Sequence, residues 1–246
     1  MKHILALCLL VGFLEADERG REIITRITEI MSPPNSKGLV TQTIETSSGK
    51  TRTFEMEMYS GNQGEKSLMR YTEPSVVRGQ TFLMLNNADD IWTYFPRTKR
   101  VRKLASHAKK QSAQGSDFSY EDMGGGDTWL EDFLPEYQGE AEYAGEACWR
   151  VELTKNPEAD VSYSKMIVWA RTTDYYPVYI EYYDENGRHT KSAIMEDIQV
   201  IEDFPTAMKM TMLNHSKHSQ TVMETLSITY DWQPPPDFFS ERSLKQ

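Results

Sequence analysis

Apolar and polar side chains alternate with a period of two over most of the chain. Phe54, Met56 and Met58, for example, are interleaved with Glu55 and Glu57, which places them on opposite sides of a strand. Turn residues separate the alternating segments, so we predict about eleven antiparallel strands joined by short loops. The predicted strands are residues 39–46, 53–59, 67–71, 80–85, 91–95, 147–154, 165–171, 178–183, 189–201, 207–214 and 220–230.

The periodicity near the N-terminus is helical instead. An apolar stripe there predicts an amphipathic helix that ends before Pro33. Its members are Ile23, Ile24, Ile27, Ile30 and Met31. Strand 80–85 is apolar on both faces and needs cover on both, while few helices are available. We therefore predict a mainly β fold, a single strongly curved antiparallel sheet forming a half-open barrel. Helices would cap its concave face, with Ile23, Ile24 and Ile27 on the lid helix.

Residues 104–140 interrupt the alternation, and short helices are expected near 119–123 and 128–134. Ser116 or Asp117 can cap the first of these helices. Phe118 and Tyr120 are expected to plug the open side of the barrel, while Asp117, Glu121 and Asp122 fold back onto the basic stretch before them. This segment would be a latch that opens for cargo, and a fixed structural corner is the alternative.

The first residues have the pattern of a signal peptide. Lys2 and His3 precede an apolar run at 4–14, and Ala16 offers a small residue at a cleavage site before charged positions. We expect residues 1–16 to be removed and 17–246 to form one exported domain. The alternatives are a buried N-terminal helix and, for Cys8, a lipoprotein acylation site.

The formal net charge of −10 argues against nucleic acid as a partner. Within this acidic chain, residues 97–110 carry seven basic side chains and no acid. We expect Arg97, Arg100 and Arg102, with Asp117 and Glu121, to lie at a rim or partner surface that meets anionic head groups or an acidic partner. Strand alternation would place Lys99 and Lys103 on the other side. A solvated strand and loop is the alternative.

Candidate catalytic groups are sparse. No nucleophile motif, phosphate-binding glycine loop or metalloprotease motif occurs in the sequence. His215 and His218 can be metal ligands, but an exposed hairpin tip is the simpler interpretation. Cys148 is expected to be a core residue rather than a nucleophile. We therefore predict no catalytic residues, no metal and no cofactor.

The 13 methionines carry more information, because methionine suits surfaces that adapt to variable apolar ligands. Several share a strand face, which favours a cavity, although an ordinary core with several methionines is the alternative. The predicted cavity residues are Phe54, Met56, Met58, Met84, Met208, Met210, Met212, Phe118 and Tyr120.

Three segments are specific enough to suggest a family. Residues 78–83 (RGQTFL), 92–103 (WTYFPRTKRVRK) and 115–122 (GSDFSYED) resemble the bacterial outer membrane lipoprotein-sorting family of LolA/LolB-like fold, over roughly residues 17–240. The resemblance implies a curved antiparallel sheet of about eleven strands with helices in its concave face. It also implies carriage of acyl chains in the periplasm and association with a lipid-exporting transporter of the inner membrane.

Together these observations predict a periplasmic, non-enzymatic carrier of a lipid or of lipoprotein acyl chains, with transient contact to a membrane surface. Two alternatives come from other functional classes. One is an adaptor of a membrane transporter that carries no cargo, and the other is an enzyme that modifies envelope lipids.

Overall fold

The computed structural model describes residues 18–124 and 128–245. The expected signal peptide, residues 1–16, lies outside the described residues. Helix α1 occupies residues 18–31, and two short helices follow the sixth strand, α2 at Tyr120–Gly124 and α3 at Trp129–Asp132. Short 3₁₀ helices occupy Ser106–Lys110, Ala113–Gly115 and Ser243–Lys245. The expected short helices near 119–123 and 128–134 are both present.

The strands form one antiparallel sheet of 13 strands in the order β6-β5-β4-β3-β2-β1-β13-β12-β11-β10-β9-β8-β7. The sheet is open, because β6 and β7 are its two edges. The predicted mainly β, antiparallel fold is confirmed. The strands are β1 (Asn35–Glu45), β2 (Thr51–Gly61), β3 (Lys66–Glu73), β4 (Thr81–Leu85), β5 (Asp90–Phe95), β6 (Arg100–Lys103), β7 (Phe133–Tyr143), β8 (Glu146–Lys155), β9 (Lys165–Arg171), β10 (Pro177–Tyr183), β11 (His189–Ile201), β12 (Phe204–Asn214) and β13 (Ser219–Thr229).

The expected count of eleven strands was too low, because β6 and β7 were not among the predicted strands. Both are edge strands, which depend on one neighbour and tolerate residues that a central strand excludes. β7 contains Pro135 and Gly139, and β6 is four residues long with three basic side chains. Lys99 precedes β6 in a turn with a φ of 53°, so strand alternation does not place it beside Lys103.

The chain divides into two compact units. Unit 1 comprises residues up to Met31 together with Trp129–Lys191, and unit 2 comprises Ser32–Thr128 together with Ser192–Gln246. The expectation that residues 17–246 form one carrier domain stays a prediction.

In unit 1, α1 approaches β7 closely. A Cβ on Gly20 would lie 3.0 Å from the backbone nitrogen of Tyr137, so the helix can come this near only without a side chain there. The Arg19 guanidinium lies 4.9 Å from the centroid of the Trp149 ring. The three predicted lid residues, Ile23, Ile24 and Ile27, are completely buried. Their role as a lid stays a prediction.

In unit 2, the C-terminal residues cover one face of β2–β6. We call this the tail face, and it is formed by Tyr59, Leu68, Leu83 and Leu244, with Trp92, Trp232, Phe238 and Phe239 packed around them. The Arg70 guanidinium donates to the Ser243 carbonyl at 3.1 Å and fastens the tail to β3. This cover explains one apolar face of strand 80–85, for which the sequence had suggested only curvature and a helix.

Candidate ligand-binding site

The opposite face of the same strands is rich in methionine. Alternation along each strand and the register between strands place eight of the 13 methionines on it. We call this surface the methionine face. Its methionines are Met56, Met58, Met69, Met84, Met208, Met210, Met212 and Met223.

The structure brings most of the predicted cavity residues together. Phe54, Met56, Met58, Met84 and Tyr120 belong to one apolar cluster on the methionine face. Met208, Met210 and Met212 extend this face on β12, because Met210 pairs with Met223 and Met212 pairs with Thr221 on β13.

Burial divides these residues into two groups. Phe54, Met56, Met84, Met212, Phe118 and Tyr120 are buried, whereas Met58, Met208 and Met210 are half-buried. The half-buried methionines are the ones an apolar ligand can reach without disrupting the core. Their role in ligand binding stays a prediction.

Polar groups without partners are concentrated on the same face. Among the described residues, seven buried side-chain nitrogen and oxygen atoms have no hydrogen-bond partner. Five of these seven lie on the methionine face: both amide atoms of Gln42, and the hydroxyls of Ser67, Tyr71 and Thr93. Buried polar atoms are nearly always hydrogen-bonded in folded proteins, so this concentration is unusual for a surface that serves only as a core.

Two of these unpartnered polar side chains, Gln42 and Tyr71, are fully buried among apolar residues. The Gln42 side chain is completely buried on β1, between Phe54 on β2 and Met223 on β13. Tyr71 is also fully buried, and burial raises the pKa of its hydroxyl well above the usual value, so the group is a neutral hydrogen-bond donor at physiological pH. The methionine face thus combines adaptable apolar side chains with neutral polar groups.

The segment before and within α2 packs over this face. Tyr120 lies with its ring centroid 5.4 Å from that of Phe82, and Phe118 is 2% exposed. The helix is capped by Ser119, whose backbone N–H donates to Asp122 Oδ2 at 2.7 Å while the Asp122 N–H donates to Ser119 Oγ at 3.1 Å. The predicted caps, Ser116 and Asp117, therefore lie before the residue that caps the helix.

Asp117 is not at a rim. Its side chain is 3% exposed and accepts hydrogen bonds from Ser219 Oγ at 2.6 Å and Thr221 Oγ1 at 2.9 Å. The predicted bridge from this carboxylate to the arginines is wrong, because two hydroxyls of β13 satisfy it inside unit 2. Glu121 lies half-buried in α2, and its rim role stays a prediction.

The three predicted rim arginines, Arg97, Arg100 and Arg102, are exposed on or beside β6. Arg100 pairs with Phe95 and Arg102 with Thr93, which places both arginines on the same side as the methionine face. Lys103 is on the other side, where it forms an ion pair with Asp90, and hydrogen bonds from Lys103 and Asn86 lower the pKa of the Asp90 carboxyl. The predicted separation of Arg100 and Arg102 from Lys103 is confirmed.

An open depression of about 610 Å³ lies where the β5–β6 turn meets the loop before β4. Its apolar walls are Val76, Val77, Phe95 and Pro96, and its cationic wall is formed by Arg97 and Arg102. We call it the basic depression. The sequence predicted a basic surface in this region, but it did not predict the apolar walls beside the arginines.

The described residues provide little for metal or covalent chemistry. Within 18–124 and 128–245, no group of three or more His, Cys, Asp or Glu side chains is arranged to hold a metal ion. Burial raises the pKa of the Cys148 thiol, which disfavours a nucleophilic thiolate. The ring of His215 is hydrogen-bonded to Ser192 Oγ at 2.9 Å. No helix in the described part of the chain is long and apolar enough to cross a membrane.

The chain is thus an open antiparallel sheet protein with few helices, and one face of its sheet is rich in methionine. A model of a family described as "Uncharacterized protein" matches residues 63–246, and the chain belongs to this family. A comparison with curated proteins gives no match.

Solved structures support the same placement. A domain named as an outer membrane lipoprotein-sorting protein from Vibrio parahaemolyticus is 25% identical with a TM-score of 0.86, over 94% of this chain and 100% of that one. A DUF1329 family protein from Desulfovibrio piger is also 25% identical with a TM-score of 0.86, over 93% and 99%. A LolA superfamily protein from Nitrosomonas europaea, at 19% identity, shares the fold with a TM-score of 0.74 over 91% and 98%. The resemblance drawn from the sequence is confirmed.

Several residues of the site were not predicted from the sequence. Met69 and Met223 lie on the methionine face, and their positions in alternating segments were a usable signal. Gln42, Ser67 and Thr93 gave no such signal, because polar residues in a strand are ordinarily assigned to its solvent side.

Proposed function

We propose that this protein is a periplasmic carrier that binds the acyl chain of a lipid or lipoprotein on the methionine face of unit 2. One observation carries the proposal: eight methionines and five unpartnered buried polar atoms share that face. Methionine adapts to apolar chains of variable shape, and the polar atoms offer hydrogen bonds that nothing in the described chain uses.

The energetics are adequate for reversible carriage without covalent chemistry. Each CH₂ group removed from water contributes about 0.8 kcal/mol, so one acyl chain supplies enough binding free energy for a micromolar complex. The Vibrio relative is named as an outer membrane lipoprotein-sorting protein, and this supports the same class of cargo. The protein would act by binding and transfer rather than by catalysis.

Native mass spectrometry after mild purification tests the proposal first. A carrier should retain lipid or take up an added fatty acid, whereas an adaptor without cargo should show only the mass of the chain under both conditions. The latter result would reject the proposal.

Substitutions then locate the binding surface. Asp at Met58, Met208 or Met210, introduced singly, should abolish uptake of a fluorescent fatty acid, because a carboxylate would have to be desolvated against the acyl chain. These three side chains are half-buried, so their variants are better tests than Met56→Asp, which would place a charge in a fully buried position. Leu226→Asp is the matched control, because Leu226 lies on β13 on the side opposite Met223 and is 53% exposed. Undiminished uptake by all three variants would place the cavity elsewhere.

The proposed location depends on the N-terminal segment. Export with cleavage after Ala16 would leave Asp17 as the first residue of the mature protein. N-terminal sequencing of protein recovered from the periplasmic fraction tests this, and recovery of the intact chain from the cytoplasm would contradict it.

A further inference from the structure

We propose that the basic depression binds the anionic head group of the cargo, so that the ligand is an amphiphile with a carboxylate or phosphate group. This inference rests on the proposed function and specifies the substrate class. It assigns separate roles to two parts of unit 2: the methionine face holds the chain, and the depression holds the charge.

The first argument is that the two arginines of the depression have no ion-pair partner among the residues that the structure describes. In the described part of the chain, neither Arg97 nor Arg102 has a carboxylate within 4.0 Å. Three other cations of this region are paired: Arg78 with Glu73, Lys103 with Asp90 and Lys109 with Asp89. In a chain with a net charge of −10, carboxylates are abundant, so two unpaired guanidinium groups at one depression form a local site for an external anion.

The second argument is the mixture of surfaces. The depression combines these guanidinium groups with the side chains of Val76, Val77 and Phe95, and Arg102 lies 5.9 Å from the centroid of the Phe95 ring. Val76 is 65% exposed, so its side chain is accessible to a ligand in the depression. A small inorganic anion would use the arginines and leave these apolar walls in water, whereas an amphiphile would cover both.

The third argument is continuity with the methionine face. Arg102 pairs with Thr93, Thr93 pairs with Phe82, and Phe82 pairs with Met69, so one cross-strand row leads from the cation to the methionines. Gln80 lines the depression, and its carbonyl accepts a hydrogen bond from the backbone N–H of Tyr71, a member of the apolar cluster. A head group in the depression therefore lies at the edge-strand end of a row of residues that leads to the methionine face.

The test compares ligands that differ only in charge. Displacement of a fluorescent fatty acid is measured at pH 8 with a long-chain fatty acid, its methyl ester, a lysophosphatidic acid and inorganic phosphate. Wild-type protein should bind the fatty acid at least about tenfold more tightly than the ester, the ratio expected for one charge-assisted hydrogen bond. The preference should shrink as salt is added.

The double variant Arg97→Gln with Arg102→Gln should lose this preference and keep the affinity for the ester. Lys103→Gln is the matched control, because Lys103 is on the other side of β6 and is already paired with Asp90. This variant should prefer the fatty acid over the ester as strongly as wild type does. Circular dichroism checks that the exposed substitutions leave the fold intact.

The possible failures are distinguishable. If wild type binds acid and ester equally, or if the double variant keeps the preference, the head-group site is rejected while the carrier function stands. If inorganic phosphate displaces the probe as well as lysophosphatidic acid does, the depression binds free anions and the inference is rejected. If no lipid binds at all, the proposed function itself fails.

Discussion

The two faces of the unit 2 strands are built by different rules. The tail face is packed with aromatic rings, such as Tyr59 and Phe238 with centroids 4.8 Å apart, and is closed by the chain's own C-terminal residues. The methionine face has flexible side chains, four of them half-buried, and polar atoms without partners. The same strands thus use one face for fixed packing and leave the other incompletely satisfied. If the proposed function holds, the incompletely satisfied face is the one that binds the ligand, and the tail face serves packing alone.

The largest expected effect is on the tail face. Leu244→Ala should lower the free energy of unfolding by about 2–5 kcal/mol, because Leu244 is completely buried in that cluster. Chemical denaturation measures the loss, and Leu226→Ala should stay within about 0.5 kcal/mol of wild type because Leu226 is exposed. The folded variant should still take up fatty acid. A selective loss of uptake without a loss of stability would contradict the division between faces.

The next effect concerns the segment over the methionine face. Asp117→Ala should lower the free energy of unfolding by about 1.5–3 kcal/mol, because two hydroxyl donors on β13 lose a charged acceptor. Asp231→Ala, an exposed change in the tail, is the control when both variants are compared by chemical denaturation.

Hydrogen exchange on residues 110–123 distinguishes the latch from the corner. In a latch, the amides of empty wild-type protein exchange much faster than those of the lipid-loaded form. Equal protection in both states would reject the latch and leave the fixed structural corner, which Asp117 holds to β13 through its two hydrogen bonds.

A smaller effect of opposite sign is expected at Gln42. Gln42→Leu should raise the free energy of unfolding of the empty protein by about 1–2 kcal/mol, because it removes two buried polar atoms that have no partner. Gln220→Leu is the matched control, since Gln220 Nε2 donates to Glu45 at 2.8 Å and its loss should not stabilise. Destabilisation by Gln42→Leu to the same extent would mean that Gln42 is satisfied in solution, and the contrast between faces would weaken.

The smallest effect is a pH dependence on the tail face. Burial, with the nearby Glu57 carboxylate, raises the pKa of Tyr59 to about 12, above its ordinary value of 10. The folded protein therefore retains this proton longer than the unfolded chain, and its stability should fall as pH rises from about 10 to about 12. Tyr59→Phe should reduce that fall when unfolding is followed by denaturant titration across this range. An identical pH profile would mean that Tyr59 titrates normally.

The sequence alone predicted most of the strands and part of the methionine face. Alternation placed Met56 and Met58 on one face and identified most strands, because a period of two is a local property of the chain. The edge strands were missed because their short length, charge and proline obscure that signal. Lys99 was misplaced for a related reason, since a left-handed turn residue ends the alternation.

The partners of single side chains were less predictable. Asp117 was expected to meet nearby arginines, but it bonds to residues more than a hundred positions away. Likewise, the residues 234–239 suggested that the tail docks a final helical turn, but not that it covers β2–β6. Such contacts depend on which strands become neighbours, and alternation within a segment contains no information about that.

The pairing of β1 with β13 has a consequence for how the protein reaches its native state. Glu45 and Gln220, which meet across this pair, are 175 residues apart in the chain, and all of the strands of unit 1 are synthesised between them. The hairpins β7–β8 and β8–β9 close locally and quickly, whereas the centre of unit 2 must wait for its last strand. Until then β1 and the methionines of β12 remain without their neighbours on β13. The slow step of folding should therefore be the closure of this strand pair, and a chain truncated before residue 219 should accumulate as an aggregation-prone intermediate.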